Sequence, residues 1–398
     1  MNRRTAIWLF SLSLFSSVFS SRAISTKVEN TQAQFALKLF STIIKDGSNN
    51  NVIISPTSIF LALSLLYNGA QGTTKEQMRQ LLLENQNLDL ANFNQDNLQL
   101  QKILSKVRDN NILSIANSLW VKYGVNLKTD YVDSLRYSYQ AQITNLDFNN
   151  PQSPVAINEW VRRKTNDKIT KIIDRISADQ VMLLINAIYF KGIWASTFDS
   201  NLTQNEPFYL LNGSTKEVSM MSKEADYWYL ENELLQLVSL PYQDQNLSLD
   251  IFLPNKNIDF NSFLDQLNIK NWQNWISQMR KRKGTVKIPR FKLEYETTLN
   301  GVLQRLGMIS AFKSNQADFS AITKAKVYVS DVLHKTYLEV NEEGSQAAAV
   351  TTIGVRATAM PVNEEQPFIL RADRPFVCIL REKQSNSLIF MASIVETS

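Results

Sequence analysis

Glu342-Glu343-Gly344-Ser345-Gln346-Ala347-Ala348-Ala349-Val350-Thr351-Thr352-Ile353-Gly354-Val355-Arg356-Ala357-Thr358-Ala359 is the stretch whose reading decides the fold. It follows a strand-like end, Val340-Asn341, and then turns small. No aromatic residue appears in it, and the only charge after Glu343 is Arg356. Such a segment has little apolar mass to anchor it in a core, yet its β-branched Val, Thr and Ile suit a pleated strand. Two readings are open: an ordinary surface loop, or a segment that is a loop in one state and a strand in another.

Parity favours the second. In a strand, alternate residues share a face. Ser345, Ala347, Ala349, Thr351, Ile353, Val355 and Ala357 form one face, all small or apolar and uncharged. Gln346, Ala348, Val350, Thr352, Gly354 and Arg356 form the other, so the single charge falls on the face that can stay wet. A charge on the inward face would cost several kcal/mol to desolvate.

Motifs around this stretch name a family. Glu-Glu-Gly-Ser-x-Ala-Ala-Ala resembles the hinge of the reactive loop of inhibitory serpins. Asp373-Arg374-Pro375-Phe376 and Phe390-Met391 resemble the serpin C-terminal signature, and Asn186 to Trp194 matches a serpin core motif over nine residues. Asn51-Val52, Ser55-Pro56 and Gly69 to Thr74 resemble the second helix and its exit. The resemblance covers about residues 30 to 396. It implies an α+β fold with three β-sheets, about nine helices and an exposed reactive-centre loop.

Composition is compatible. The 398 residues are 44% hydrophobic and 20% charged, ordinary for a globular chain and ample for a large core. Length alone suggests two or three domains. No Pro/Gly/Ser-rich linker or internal repeat divides the chain, and the resemblance implies one domain over 24–398 with its reactive loop at about 342–366. Asn2-Arg3-Arg4, an apolar run to Phe19 and Ser21-Arg22-Ala23 read as a secretory signal peptide over 1–23, placing the protein outside the cytoplasm. A membrane anchor is the alternative, but the run is short and rich in Ser. Removing residues 1–23 takes away three arginines and no acid, so the formal charge falls from +5 to +2, which gives no reason to expect nucleic acid. No membrane partner is expected, and the protein is expected to be a monomer.

The chain also lacks the usual enzyme signatures. None of its eleven Gly falls in a G-x-G-x-x-G, G-x-x-x-x-G-K or G-x-S-x-G pattern. One His and one Cys cannot build a His/Cys zinc site, and no metal or cofactor is expected. A Ser-His-Asp triad would have to use His334. Cys378, in a strand-like run, is expected to be a buried thiol.

Coarse elements follow from periodicity. Gln32–Lys45 predicts an amphipathic helix, Val52–Ile54 a short strand and Ser55-Pro56 a capped helix start. Thr74 with Gln77 predicts a capping box. Leu113–Val121 and Lys326–Val340 read as strands, and Val155–Ile172 as one amphipathic helix. Val181–Phe190 reads as a strand buried on both faces, interrupted by Asn186. Trp272, Trp275 and Met279 fall at helical spacing. The basic runs Lys102, Lys106, Arg108 and Arg280–Lys283 read as solvated faces, the second as a helix end; glycosaminoglycan or polyanion binding is the alternative for both. Sequons occur at Asn201, Asn212 and Asn246.

The resemblance assigns further roles. Ser55, Ser58, Asn186 and His334 match a polar "shutter" beneath the main sheet. Trp194, Arg290 and Glu342 match the "breach" at its top, and Glu342 to Ala349 the hinge. The reactive bond is expected at Thr358-Ala359, with Arg356-Ala357 as the competitor. The implied function is suicide inhibition of serine proteases, preferably elastase-like and alternatively trypsin-like, by a protein that is not itself an enzyme. A non-inhibitory serpin (chaperone, carrier or storage protein) is the rival reading.

Overall fold

The computed structural model describes residues 26–47, 50–84, 86, 88–106, 111–345 and 366–397. Gln346, Ala347, Ala348 and Ala349, both candidate reactive bonds, Arg108 and the N-terminal leader lie outside the described residues.

In chain order the elements are α1 (Thr26–Asp46), β1 (Val52–Ile54), α2 (Pro56–Gly69), α3 (Gly72–Leu83), α4 (Leu90–Leu104), β2 (Ile112–Lys122), α5 (Thr129–Tyr139), β3 (Gln142–Leu146) and α6 (Ser153–Lys164). β4 (Met182–Ile193), β5 (Gln204–Tyr209), β6 (Thr215–Glu231), β7 (Leu235–Pro241), β8 (Leu247–Pro254), α7 (Phe260–Gln266), α8 (Ile269–Gln278), β9 (Arg280–Pro289), β10 (Phe291–Thr298) and α9 (Asn300–Arg305) follow. The chain closes with β11 (Val329–Val340), β12 (Gly344–Ser345), β13 (Phe368–Arg371), β14 (Phe376–Glu382) and β15 (Ser387–Ile394). Nine α-helices thus stand among the described residues.

The fold is mixed α+β, and its sheets differ in one respect from expectation. The three expected sheets are hydrogen-bonded as two. One has six strands, ordered β10-β11-β4-β2-β3 with β12 against β4. The other has nine, ordered β1-β15-β14-β8-β7-β6-β9-β13 with β5 against β6. The merger has a simple cause. β6 is 17 residues long; its first half pairs β5 and its last four residues pair β7, so it continues from one expected sheet into the other.

The six-stranded sheet is the middle layer. Leu184, Ile188 and Phe190 of β4 pack into the core that holds α1 and α2, whereas Leu183, Ile185, Ala187 and Tyr189 pack with Ile157, Trp160 and Val161 of α6. This is the pattern of a strand covered on both faces. Every described residue of α2 except Asn68 is buried. Ser55 caps that helix, its hydroxyl accepting from the Ser58 N–H at 3.3 Å, with Pro56 in the first turn. Each large side chain buried here is worth about 1.5–3 kcal/mol.

Three local expectations are corrected. Thr74 and Gln77 form no capping box: Gln71 is the N-cap of α3 and supplies no side-chain bond. The Thr74 hydroxyl instead accepts from the Asp318 N–H, and Gln77 Oε1 accepts from the N–H groups of Ile309 and Ser310. The helix expected over Val155–Ile172 stops at Lys164, because Asn166 and Asp167 take left-handed φ of 50° and 61°. Ile169 and Ile172 still reach the apolar layer, from irregular backbone. Arg280–Lys283 is not a helix end; it opens β9, paired with Tyr229 to Asp226 of β6.

Candidate functional site

The seam between β4 and β11 is the candidate site. The two strands are parallel and directly paired from Val329↔Met182 to Tyr337↔Tyr189. The ladder ends there, although β4 continues to Ile193 and β11 to Val340. At this upper end the chain turns back at Asn341, and Gly344-Ser345 pairs antiparallel with Ile193-Gly192. Asn341 makes the turn: its Oδ1 accepts from the N–H groups of Glu343 and Gly344 at 3.1 and 3.2 Å.

A neutral polar cluster locks the middle of the seam. Asn117 of β2, Asn186 of β4 and His334 of β11 stand in one row across three strands. Asn186 Nδ2 donates to Asn117 Oδ1 at 2.5 Å and to the Ser58 hydroxyl, and its Oδ1 meets His334 Nδ1 at 2.5 Å. The Ser55 N–H donates to His334 Nε2 at 3.1 Å. That last bond fixes the tautomer. Nε2 must be an acceptor, so Nδ1 carries the proton and donates to Asn186. His334, Asn186, Ser55 and Ser58 are fully buried. Burial pushes the imidazole pKa down to about 3, so the ring is neutral. Unpaired, each of these groups would cost about 1–3 kcal/mol.

A charged and aromatic cluster holds the upper end. Arg290 Nε lies 2.6 and 2.7 Å from the two Glu342 oxygens, and the Thr203 hydroxyl donates to Glu342 Oε1. Burial pushes the Glu342 pKa up, but the bonds from Arg290 and Thr203 outweigh it, and the carboxyl is held below its usual range. The Trp194 indole N–H donates to the Asn341 carbonyl at 2.9 Å, and the Trp194 and Phe198 N–H groups bind the Glu343 and Glu342 carbonyls at 2.9 and 2.8 Å. Trp194 stacks on Tyr242 with centroids 4.4 Å apart, and the Tyr242 and Ser345 hydroxyls share a 2.8 Å hydrogen bond. Ser345 is fully buried.

Gly344 has no substitute here. Its φ is +148°, and a Cβ would stand 2.0 Å from the Gly192 carbonyl oxygen. Gly192 is constrained from the other side, where a Cβ would meet the rings of Phe190 and Tyr242 at 2.5 and 2.6 Å.

The structure therefore brings Ser55, Ser58, Asn186 and His334 into one cluster and Trp194, Arg290 and Glu342 into another, with Glu343, Gly344 and Ser345 at the second. Sequence reasoning missed Asn117, Thr203, Asn341 and Tyr242. Asn117 had a signal, a lone amide in a run otherwise read as a strand. Thr203 and Tyr242 had none, since only tertiary packing brings them to Glu342 and Ser345. Cys378 is a buried free thiol, its pKa pushed up to about 12 by burial.

Comparison with known proteins gives one answer. The family model described as Serpin (serine protease inhibitor) matches residues 30–397. Serpin B6 of Macaca fascicularis is 34% identical, over 89% of this chain and 96% of its own. The human leukocyte elastase inhibitor is 32% identical, over 92% of this chain and 98% of its own. The crystal structure of the thermophilic serpin tengpin in the native state superposes with a TM-score of 0.87 at 30% identity, covering 94% of this chain and 95% of that one.

Proposed function

This chain belongs to the serpin family, and from that premise we propose that it is a suicide-substrate inhibitor of serine proteases, not an enzyme. The protease's own nucleophile attacks the reactive bond and forms an acyl-enzyme, releasing the new amino terminus on the far side. The freed segment after Ser345 then enters the seam between β4 and β11 as a new central strand, carrying the tethered protease away before water completes hydrolysis. Loop insertion of this kind is a form of β-strand addition driven by the release of stored strain.

One observation carries this reading: Gly344 and Ser345 already form the first two residues of such a strand, at the one end of the seam where β4 and β11 are not paired. Continuing their antiparallel register residue by residue puts Thr351 opposite Asn186 and Val355 opposite Met182. The inward face is then Ser345, Ala347, Ala349, Thr351, Ile353 and Val355, without a charge. Thr351 brings a hydroxyl to the level at which the His334–Asn186 bond must open. In this reading Ser55, Ser58, Asn186 and His334, together with Asn117, are the shutter. Trp194, Arg290 and Glu342 are the breach, and Glu342 to Ala349 the hinge.

The segment from Ser345 to Thr358 is 14 residues long and spans roughly 46 Å as a strand. Cutting at Arg356-Ala357 instead shortens it by two residues. Thr358-Ala359 is therefore the reactive bond, and its small residues suit elastase-like proteases with shallow apolar pockets. The basic, apolar and small-residue order of residues 1–23 supports secretion. The test is incubation with pancreatic elastase and trypsin, followed by a denaturing gel and sequencing of the released peptide. An undissociated complex and a peptide starting at Ala359 or Thr358 are expected. A start at Ala357 with fast trapping of trypsin overturns the bond assignment. Cleavage without any complex overturns inhibition and leaves a non-inhibitory serpin.

A further inference from the structure

The outer face of β6, β9 and β13 carries two large apolar side chains in water. Trp228 is 55% and Ile369 67% exposed. Strand alternation puts Glu224, Asp226 and Trp228 of β6 on this face, with Thr285, Lys283 and Lys281 opposite them on β9 and Ile369 beside Thr285 on β13. Trp228 and Ile369 are then roughly 16 Å apart, two strands across and four residues along. Two acids and two lysines lie between and beside them, and Lys283 pairs with Glu224 at 3.0 Å. Charge is balanced over the face, so it offers apolar contact rather than a one-sign field.

The platform is stiff. On the opposite face Tyr229 stacks on Phe368 with centroids 3.7 Å apart, and the Arg282 guanidinium lies 5.4 Å from the Tyr229 ring. Arg282 Nη2 also donates to the Gln366 carbonyl at 3.1 Å, which fixes the point where the chain returns from the reactive segment.

That point decides the occupant. From Ala359 to Gln366 is seven residue steps, a reach of at most about 25 Å. A protease domain of about 240 residues is about 45 Å across. A protease held on the Thr358-Ala359 bond is therefore tethered closer to this face than its own diameter. We propose that the face carrying Trp228 and Ile369 is a docking surface for the body of the target protease, taking an apolar hollow beside the protease's catalytic cleft. The inference rests on the inhibitory reading above. A buried Trp is the side chain most often found to dominate interface energetics, and Trp228 stands half in water on this sheet, free to be covered by a partner.

The test uses the full chain and whichever of pancreatic elastase and trypsin it traps faster. The Trp228→Ala/Ile369→Ser double variant is expected to associate about tenfold more slowly, with the same stoichiometry of inhibition and the same thermal midpoint, and with little dependence on salt. A protease whose catalytic serine is replaced by alanine should shield Trp228 and Ile369 from hydroxyl-radical oxidation in the non-covalent complex. An association rate within twofold of the unmodified chain, or no shielding, overturns the docking surface while leaving inhibition intact. Absence of any covalent complex with the unmodified chain overturns the inhibitory reading and this surface with it.

Discussion

The same two strands, β4 and β11, meet in different ways at their middle and at their upper end. At the middle they pair directly, and a buried, uncharged set of hydrogen bonds through Asn186 and His334 closes the seam. At the upper end they pair no longer; Gly344-Ser345 lies on β4, held by a carboxylate–guanidinium pair and an aromatic stack. The middle is a neutral latch in a dry place, costly to leave unsatisfied. In the proposed mechanism the upper end is the start site for insertion, and its charges stay at the rim, where Arg290 is 45% exposed. On the proposed insertion, the contrast accounts for a sheet shut at its middle and open to a strand at its upper end.

The largest effect is expected from a charge placed at the start site. Ser345→Arg must bury a guanidinium where Ser345 is fully buried against Tyr242. The covalent complex should fall at least tenfold on a denaturing gel, with cleaved chain in its place; undiminished trapping would break the assignment of this end as the point of strand entry.

Much of the fold and of the seam is legible in the sequence, and the misses have causes. Parity alone separates the uncharged face from Arg356, because strand alternation needs no tertiary knowledge. Asn186 stands out as an amide in an apolar run. Asn117 is likewise a lone amide in a strand-like run, but its pairing with Asn186 is not legible there, since the register between β2 and β4 is set by tertiary packing. Thr74 and Gln77 match a local capping rule, but Ser310 and Asp318 compete for the same groups from far along the chain. Arg280–Lys283 looks like a helix end because α8 stops at Gln278, directly before it. Only pairing with β6 makes it a strand.

Breaking the latch should matter next. Asn186→Ala strips partners from Asn117, Ser58 and His334 together and should destabilise the intact protein by about 2–4 kcal/mol. A lowered thermal midpoint and faster spontaneous polymerisation on warming are the expected readouts. A variant with the midpoint of the unmodified chain would mean that the cluster does not hold the seam.

The latch also carries a pH signature. Above about pH 6.5 the His334 ring is neutral folded and unfolded and contributes no pH dependence. Below that, the unfolded chain binds a proton that the folded one refuses down to about pH 3. Stability should therefore fall as pH drops, already between about 6.5 and 5, above the range in which carboxylates titrate. His334→Gln should flatten denaturant midpoints across that window. An equal slope in the variant would remove His334 from the account.

The smallest effect is expected at the rim. Thr203→Val removes one hydrogen bond from Glu342 and leaves both bonds from Arg290, so a loss of about 1 kcal/mol is predicted. A loss as large as that of Asn186→Ala, measured by the same denaturant titration, would erase the difference between the two regions.

Insertion between β4 and β11 is tested most directly by tying those strands together. Ala187 and Lys335 are register partners on the α6 side of the seam, next to the Asn186–His334 row. Neighbouring strands stand close enough for a disulfide, and buried Cys378 is poorly placed to compete. In the Ala187→Cys/Lys335→Cys chain, oxidation should leave the reactive bond cleavable but abolish the covalent complex. It should also abolish the rise in thermal midpoint that strand insertion predicts for the unlocked protein after cleavage. Reduction should restore both. An oxidised, locked chain that still traps the protease, or still gains thermal stability on cleavage, would contradict strand insertion at this seam.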